Sequence, residues 1–86
     1  MKALTLDKLR TGERGTVTEL LSEGSMRRRM IDLGVVEGTE IECVGKSPAG
    51  DPSAYLIRGA VIAIRARDAC KVYIKVIPEG NRDGTD

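Results

Sequence analysis

The sequence has no histidine, no tryptophan and no phenylalanine, and only two tyrosines and two cysteines in 86 residues. Without imidazole the commonest general base near neutral pH is missing. Serines 22, 25, 47 and 53 lie among turn residues, with nothing beside them to activate a hydroxyl. Catalysis is therefore not expected. First-row divalent metals favour imidazole or thiolate in defined clusters. The oxygen and sulfur donors here, Cys43, Cys70, Glu40, Glu42, Asp51 and Asp68, show no such clustering along the chain. The two cysteines stand in no Cys-x-x-Cys spacing and read as reduced thiols of a cytosolic protein. Cys43 alternates onto the inward side of a strand and reads as a buried structural thiol. Cys70, beside Lys71, is likewise read as structural rather than reactive.

Long apolar runs are also missing. A bilayer span needs about 20 consecutive apolar residues, and none occurs. The start, Met1 to Leu6, meets charge at Asp7 and Lys8, without the apolar core of a secretory signal. Direct membrane insertion is not expected, so any membrane role passes through a partner. Strong charge of one sign is absent as well. Lys+Arg number 14 against 13 Asp+Glu, a net charge of +1. Residues 1–77 carry 13 basic against 10 acidic side chains, and the last nine carry Arg82 against Glu79, Asp83 and Asp86. A dedicated nucleic-acid binder usually has a large basic excess and aromatic side chains for stacking, so nucleic acid is not expected as a partner. Gly45-Lys46-Ser47 has the ending of a phosphate-binding loop, but the glycine required upstream and a long following helix are missing.

What remains is a small chain with an aliphatic core. Gly15 to Leu21 is rich in β-branched residues and reads as a strand. Thr39 to Ser47 alternates Ile41 and Cys43 against Glu40, Glu42 and Val44. Ala54–Arg58 and Ala60–Arg65 flank a hairpin turn at Gly59. Ala66–Ala69 suits one helical turn, and Lys71–Val76 alternates Val72, Ile74 and Val76 against Lys71, Tyr73 and Lys75. A short strand or turn is expected around Leu4 to Arg10. About five short strands, with turn signals every eight to twelve residues, predict a mainly β domain, a small barrel or two packed sheets, over residues 1–77. Residues 78–86 read as a disordered polar tail.

The exception to the β pattern is Met26 to Thr39. Met26, Met30 and Leu33 recur at i, i+4 and i+7, which predicts a short helix with one apolar stripe. Arg27, Arg28 and Arg29 fan away from that stripe. Ser25 is placed to cap the helix, and Gly34 to end it in the left-handed conformation. Val35, Val36, Glu37 and Gly38 then deliver the chain to the next strand. Taken alone, the stretch fits a helix covering one end of a β domain with solvated arginines as well as it fits a binding surface. Pro48-Ala49-Gly50-Asp51-Pro52 makes an irregular, exposed loop of the kind that often carries binding.

Arg-x-x-Met-x-Asp-Leu-Gly-Val-x-x-Gly-Thr-x-Ile, Arg27 through Ile41, resembles the helix-turn-strand signature of the ferrous-iron-transport protein A family, FeoA. Ser47 to Pro52, the run Ala60 to Ala69 and the opening Leu6 to Glu13 match in the same order, so the resemblance covers about residues 1 to 77. It implies an SH3-like barrel and a non-enzymatic accessory protein of bacterial ferrous iron uptake. Its implied partner is the membrane ferrous-iron transporter FeoB, met at the cytoplasmic face on the GTP-binding part. No resident cofactor is expected, and ferrous iron is bound at most transiently. Arg27, Arg28 and Arg29, Gly34 to Gly38, and Pro48 to Pro52 form the expected contact surface. An exposed barrel edge would support at most a weak homo-oligomer. The alternative is a regulatory or transition-metal-binding domain related to the C-terminal SH3-like domain of metal-dependent transcriptional repressors.

Overall fold

The structure, a computed structural model, describes residues 3–78. The tail expected after residue 77 therefore lies, Pro78 apart, outside the described residues. The elements in chain order are β1 (Ala3–Thr5), a 3₁₀ turn (Leu6–Lys8), β2 (Arg14–Leu20), α1 (Gly24–Leu33), β3 (Glu40–Lys46), β4 (Ser53–Ile57), β5 (Ala60–Ile64), α2 (Ala66–Ala69) and β6 (Val72–Val76). All strand pairings are antiparallel, in the order β1-β6-β2-β3-β4-β5.

The mainly β reading holds, with six strands rather than about five. The additional strand is Ala3–Thr5, which pairs with β6 from Ala3 opposite Lys75 to Thr5 opposite Tyr73. Three residues carry too little alternation to declare a strand by themselves. β6 supplies the template, because it lies between β1 and β2 with both sides paired. The hydrogen-bonded ladder does not close on itself among the described residues, and β1 and β5 are its outer strands.

The core follows from alternation. Ile41 and Cys43 of β3, Tyr55 and Ile57 of β4, and Val72 and Ile74 of β6 are buried, while their sequence neighbours face outward or are half-covered. Leu6, Leu9, Val17, Met30, Val35, Ile64 and Ala69 complete the cluster. Tyr55 is its only aromatic side chain. Its hydroxyl donates to the Leu6 carbonyl at 3.4 Å, tying β4 to the 3₁₀ turn. Burial pushes its phenol up to about 12, opposed by a hydrogen bond with Ser53.

Ile57-Arg58-Gly59-Ala60 closes the β4–β5 hairpin with two turn residues, both at positive φ, +51° and +85°. That is the type I′ geometry, whose twist matches a right-handed strand pair.

Candidate docking site

α1 forms because methionine, arginine and leucine favour helix and because Met26, Met30 and Leu33 share one side. Met30 is buried, and Met26 and Leu33 are half-buried against the core. Ile31, off that stripe, is exposed.

The two ends of α1 are built differently. At the C-terminal end Gly34 takes φ +105°. Its N–H donates to the Ile31 carbonyl at 2.9 Å, and the Val35 N–H donates to the Met30 carbonyl at 2.9 Å. Together these form a Schellman motif, and the residues it joins, Met30 and Val35, are both buried. A Cβ at Gly34 would lie 2.8 Å from Arg58 Cδ and 3.2 Å from Ile57 Cγ2, so the helix end presses directly on the β4–β5 hairpin. At the N-terminal end the capping position is Glu23, two residues earlier than the expected Ser25, and no side chain caps the helix. The left-handed Gly24, φ +61°, starts the helix before Ser25 is reached, so the serine falls inside the first turn.

The arginines divide in the same way. All three are exposed. Arg27 Nη1 donates to the Leu20 carbonyl at 2.9 Å and braces the first turn of α1 to the end of β2. Arg28 lies on the outer surface of α1 with Ser25 and Asp32. Arg29 stands at the rim of a groove of about 260 Å³ between α1 and the end of β5. Met26, Met30, Leu33 and Ile64 give that groove its apolar lining, and Arg65 and Arg67 share its rim with Arg29. Asp68 is its single acidic side chain.

Part of the expected surface is corrected. Gly34 and Val35 are buried and Val36 is half-buried, so this turn is mostly an anchor and not a contact surface. Glu37 and Gly38 remain exposed. In the loop, Pro48, Ala49, Gly50 and Asp51 are exposed and Pro52 is half-buried. Its backbone is tied internally, Ser47 N–H to the Pro52 carbonyl at 3.1 Å and Gly50 N–H to the Ser47 carbonyl at 2.8 Å. Asp51 Oδ1 accepts the Ala66 N–H at 2.8 Å, fixing the loop to the first residue of α2.

The structure thus brings the two distant stretches to α2, the arginine helix by the Arg29–Arg65–Arg67 groove and the loop by Asp51. Arg65 and Arg67 escaped the sequence reading because they sit at a strand end and in a single helical turn. Their only sequence signal is Arg-x-Arg spacing, and the partner arginine is 36 residues upstream.

Cys43 is buried and Cys70 exposed, and both are free thiols. Among the described residues no three or more His, Cys, Asp or Glu side chains gather where a metal ion could be held. No helix among them is long and apolar enough to cross a membrane.

Comparison with known proteins places this geometry. The FeoA domain model matches residues 4–76. The Fe(2+) transport protein A/Fe(2+) transporter FeoB fusion protein of Porphyromonas gingivalis is 30% identical over 74 residues, covering 86% of this chain and 9% of the fusion. The chain therefore spans only a small part of that relative. The solution structure of a FeoA-like protein from Clostridium acetobutylicum is similar at TM-score 0.82 and 33% identity, covering 92% of both chains. FeoA of Stenotrophomonas maltophilia, solved with zinc and described as a prokaryotic SH3 domain protein, is similar at TM-score 0.75 and 26% identity, covering 84% of this chain and 89% of that one. The SH3-like reading of the sheet is thereby established. A manganese-dependent transcriptional repressor shares the fold alone, at TM-score 0.79 and 18% identity, over 90% of this chain and 38% of the repressor.

Proposed function

The chain belongs to the FeoA family, and on that premise we propose that it is a non-enzymatic accessory module that docks on the GTP-binding part of the ferrous-iron transporter and modulates transport or nucleotide turnover. The observation that carries the reading is the Porphyromonas gingivalis fusion, in which the matching region is one polypeptide with FeoB. Covalent joining raises the effective concentration of two parts that work together. In this reading the module works at the cytoplasmic face of the membrane, where its partner holds it.

The geometry supports a docking role for α1. Arg28 and Arg29 are exposed, hold no ion pair among the described residues, and stand on a helix whose other side is fixed to the core. Desolvated or steering arginines suit an acidic partner surface. The direct experiment is capture of this protein by the transporter's cytosolic part, with and without guanine nucleotide. Nucleotide-sensitive capture is expected, and no capture at low salt in either state would sink the reading.

Ferrous iron is cargo of the partner in this scheme. The isolated protein is expected to bind Fe²⁺ or Zn²⁺ no tighter than roughly high micromolar, since it offers no histidine and no paired cysteines. Calorimetry finding a stoichiometric submicromolar site that vanishes in Cys43→Ser or Cys70→Ser would refute this.

A further inference from the structure

The groove between α1 and β5 has three properties that converge on one kind of occupant. Its floor carries apolar side chains, half-buried Met26 and Leu33 with buried Met30 and Ile64 beneath. Its rim gathers Arg29, Arg65 and Arg67 against the single carboxylate of Asp68. Like charges brought together by the fold cost free energy unless an anionic group joins them.

The third property is the unpaired side of β5. The strand reads Ala-Val-Ile-Ala-Ile, has no charge, and ends the sheet. Val61 is 65% exposed, and Ala60 and Ala63 are exposed too. The register decides where its backbone groups point. Ile57 and Ala60 close a two-residue turn and therefore form a hydrogen-bonded pair, as do Tyr55 with Ile62 and Ser53 with Ile64. Val61 and Ala63 fall between those pairs, so their N–H and C=O groups point away from β4. Natural proteins usually blunt such an edge with charge, proline or a bulge. None of these interrupts β5.

We propose that this groove receives an extended, acidic segment of a partner polypeptide, which adds as a strand to β5. Main-chain pairing to Val61 and Ala63 would hold the segment. Alternate side chains would enter the apolar lining, and carboxylates would meet Arg29, Arg65 and Arg67. A second copy of this chain fits less well. Antiparallel self-pairing centred on Ile62 sets Arg58 of each copy close to Arg65 of its mate, at both ends of the strand. An acidic segment neutralises the same arginines. The proposal deepens the docking reading by naming the chemistry of the contacted segment, and it rests on that reading only for its setting.

The test uses no transporter. The probe is a blocked peptide of about seven residues alternating valine and glutamate, about the length of a strand, titrated into ¹⁵N-labelled protein. A valine–lysine peptide is the control. Shift changes are expected along Ala60 to Arg65 and on the Met26–Met30 side of α1. The Val61 and Ala63 amides should gain at least tenfold protection from hydrogen exchange. The Arg65→Glu, Arg67→Glu double variant changes two exposed side chains, so it should keep the native spectrum while weakening binding at least tenfold. Equal binding of the lysine peptide, unprotected Val61 and Ala63 amides, or undiminished affinity in the double variant would each overturn the proposal. So would changes at β5 that depend on protein concentration alone, since they would mark a second copy as the occupant. Intact peptide binding with lost transporter capture would defeat the docking reading and leave the groove standing.

Discussion

The two ends of α1 differ more than their sequences suggest. The C-terminal end is held by two backbone hydrogen bonds, a left-handed glycine, and direct contact with the β4–β5 hairpin. The N-terminal end has no side-chain cap, and the Arg27 guanidinium on the Leu20 carbonyl is the side-chain hydrogen bond that braces its first turn. The difference separates two jobs within one helix of ten residues. Backbone closure and buried Met30 and Val35 position the helix, while exposed Arg28 and Arg29 are left for an outside partner. A surface cation near a well-anchored helix loses less freedom on binding than one on a mobile loop.

The largest effect should come from the anchored end. Gly34→Val must place a β-branched residue at φ +105° and drive its Cβ toward Arg58 and Ile57. A loss of roughly 3 kcal/mol is expected, at the upper end of the cost of such strain. Urea unfolding measures it, and an unchanged midpoint would mean that the helix end is not seated as described.

Methionine truncation sharpens the same contrast. Met30 is 1% exposed, so Met30→Ala should cost about 2 to 4 kcal/mol in lost burial and cavity formation. Met26, half-buried near the uncapped end, should cost about 1 kcal/mol or less. Equal losses in thermal unfolding would erase the distinction between the two ends.

Reversing the outer arginines moves the effect from stability to binding. Arg28→Glu with Arg29→Glu should leave the melting temperature within a few degrees, because neither side chain makes a hydrogen bond or ion pair among the described residues. Transporter binding should weaken at least tenfold, about 1.4 kcal/mol. Binding unaltered at low salt would remove this face from the interface. The smallest effect belongs to Ser25→Ala. A working N-cap is worth about 1 kcal/mol, but Ser25 makes no such bond, so the change in unfolding free energy should stay within about 0.5 kcal/mol.

Much of this was legible in the chain. Alternation in β3 and β6 gave the inward residues because a strand's side-chain period is fixed by its backbone. The stripe Met26, Met30, Leu33 and the stop at Gly34 were readable because 3.6-residue periodicity and left-handed closure are local properties. Ser25 was misplaced because Gly24 bends the chain into the helix two residues earlier than a cap at Ser25 would. β1 went uncounted as a full strand because its pairing depends on β6, some 70 residues away.

The sequence by itself determined the class of the molecule: an aliphatic β domain without histidine, with one arginine-bearing helix ended by a glycine. Tertiary structure alone decided which arginines meet and which turn residues are buried. Arg29 joins Arg65 and Arg67 because α1 and the end of β5 border one groove, and Gly34 is sealed because the helix end presses on the hairpin. Periodicity is set by bonds between neighbours, whereas a site is set by which surfaces the core draws together, and that choice belongs to the whole chain at once.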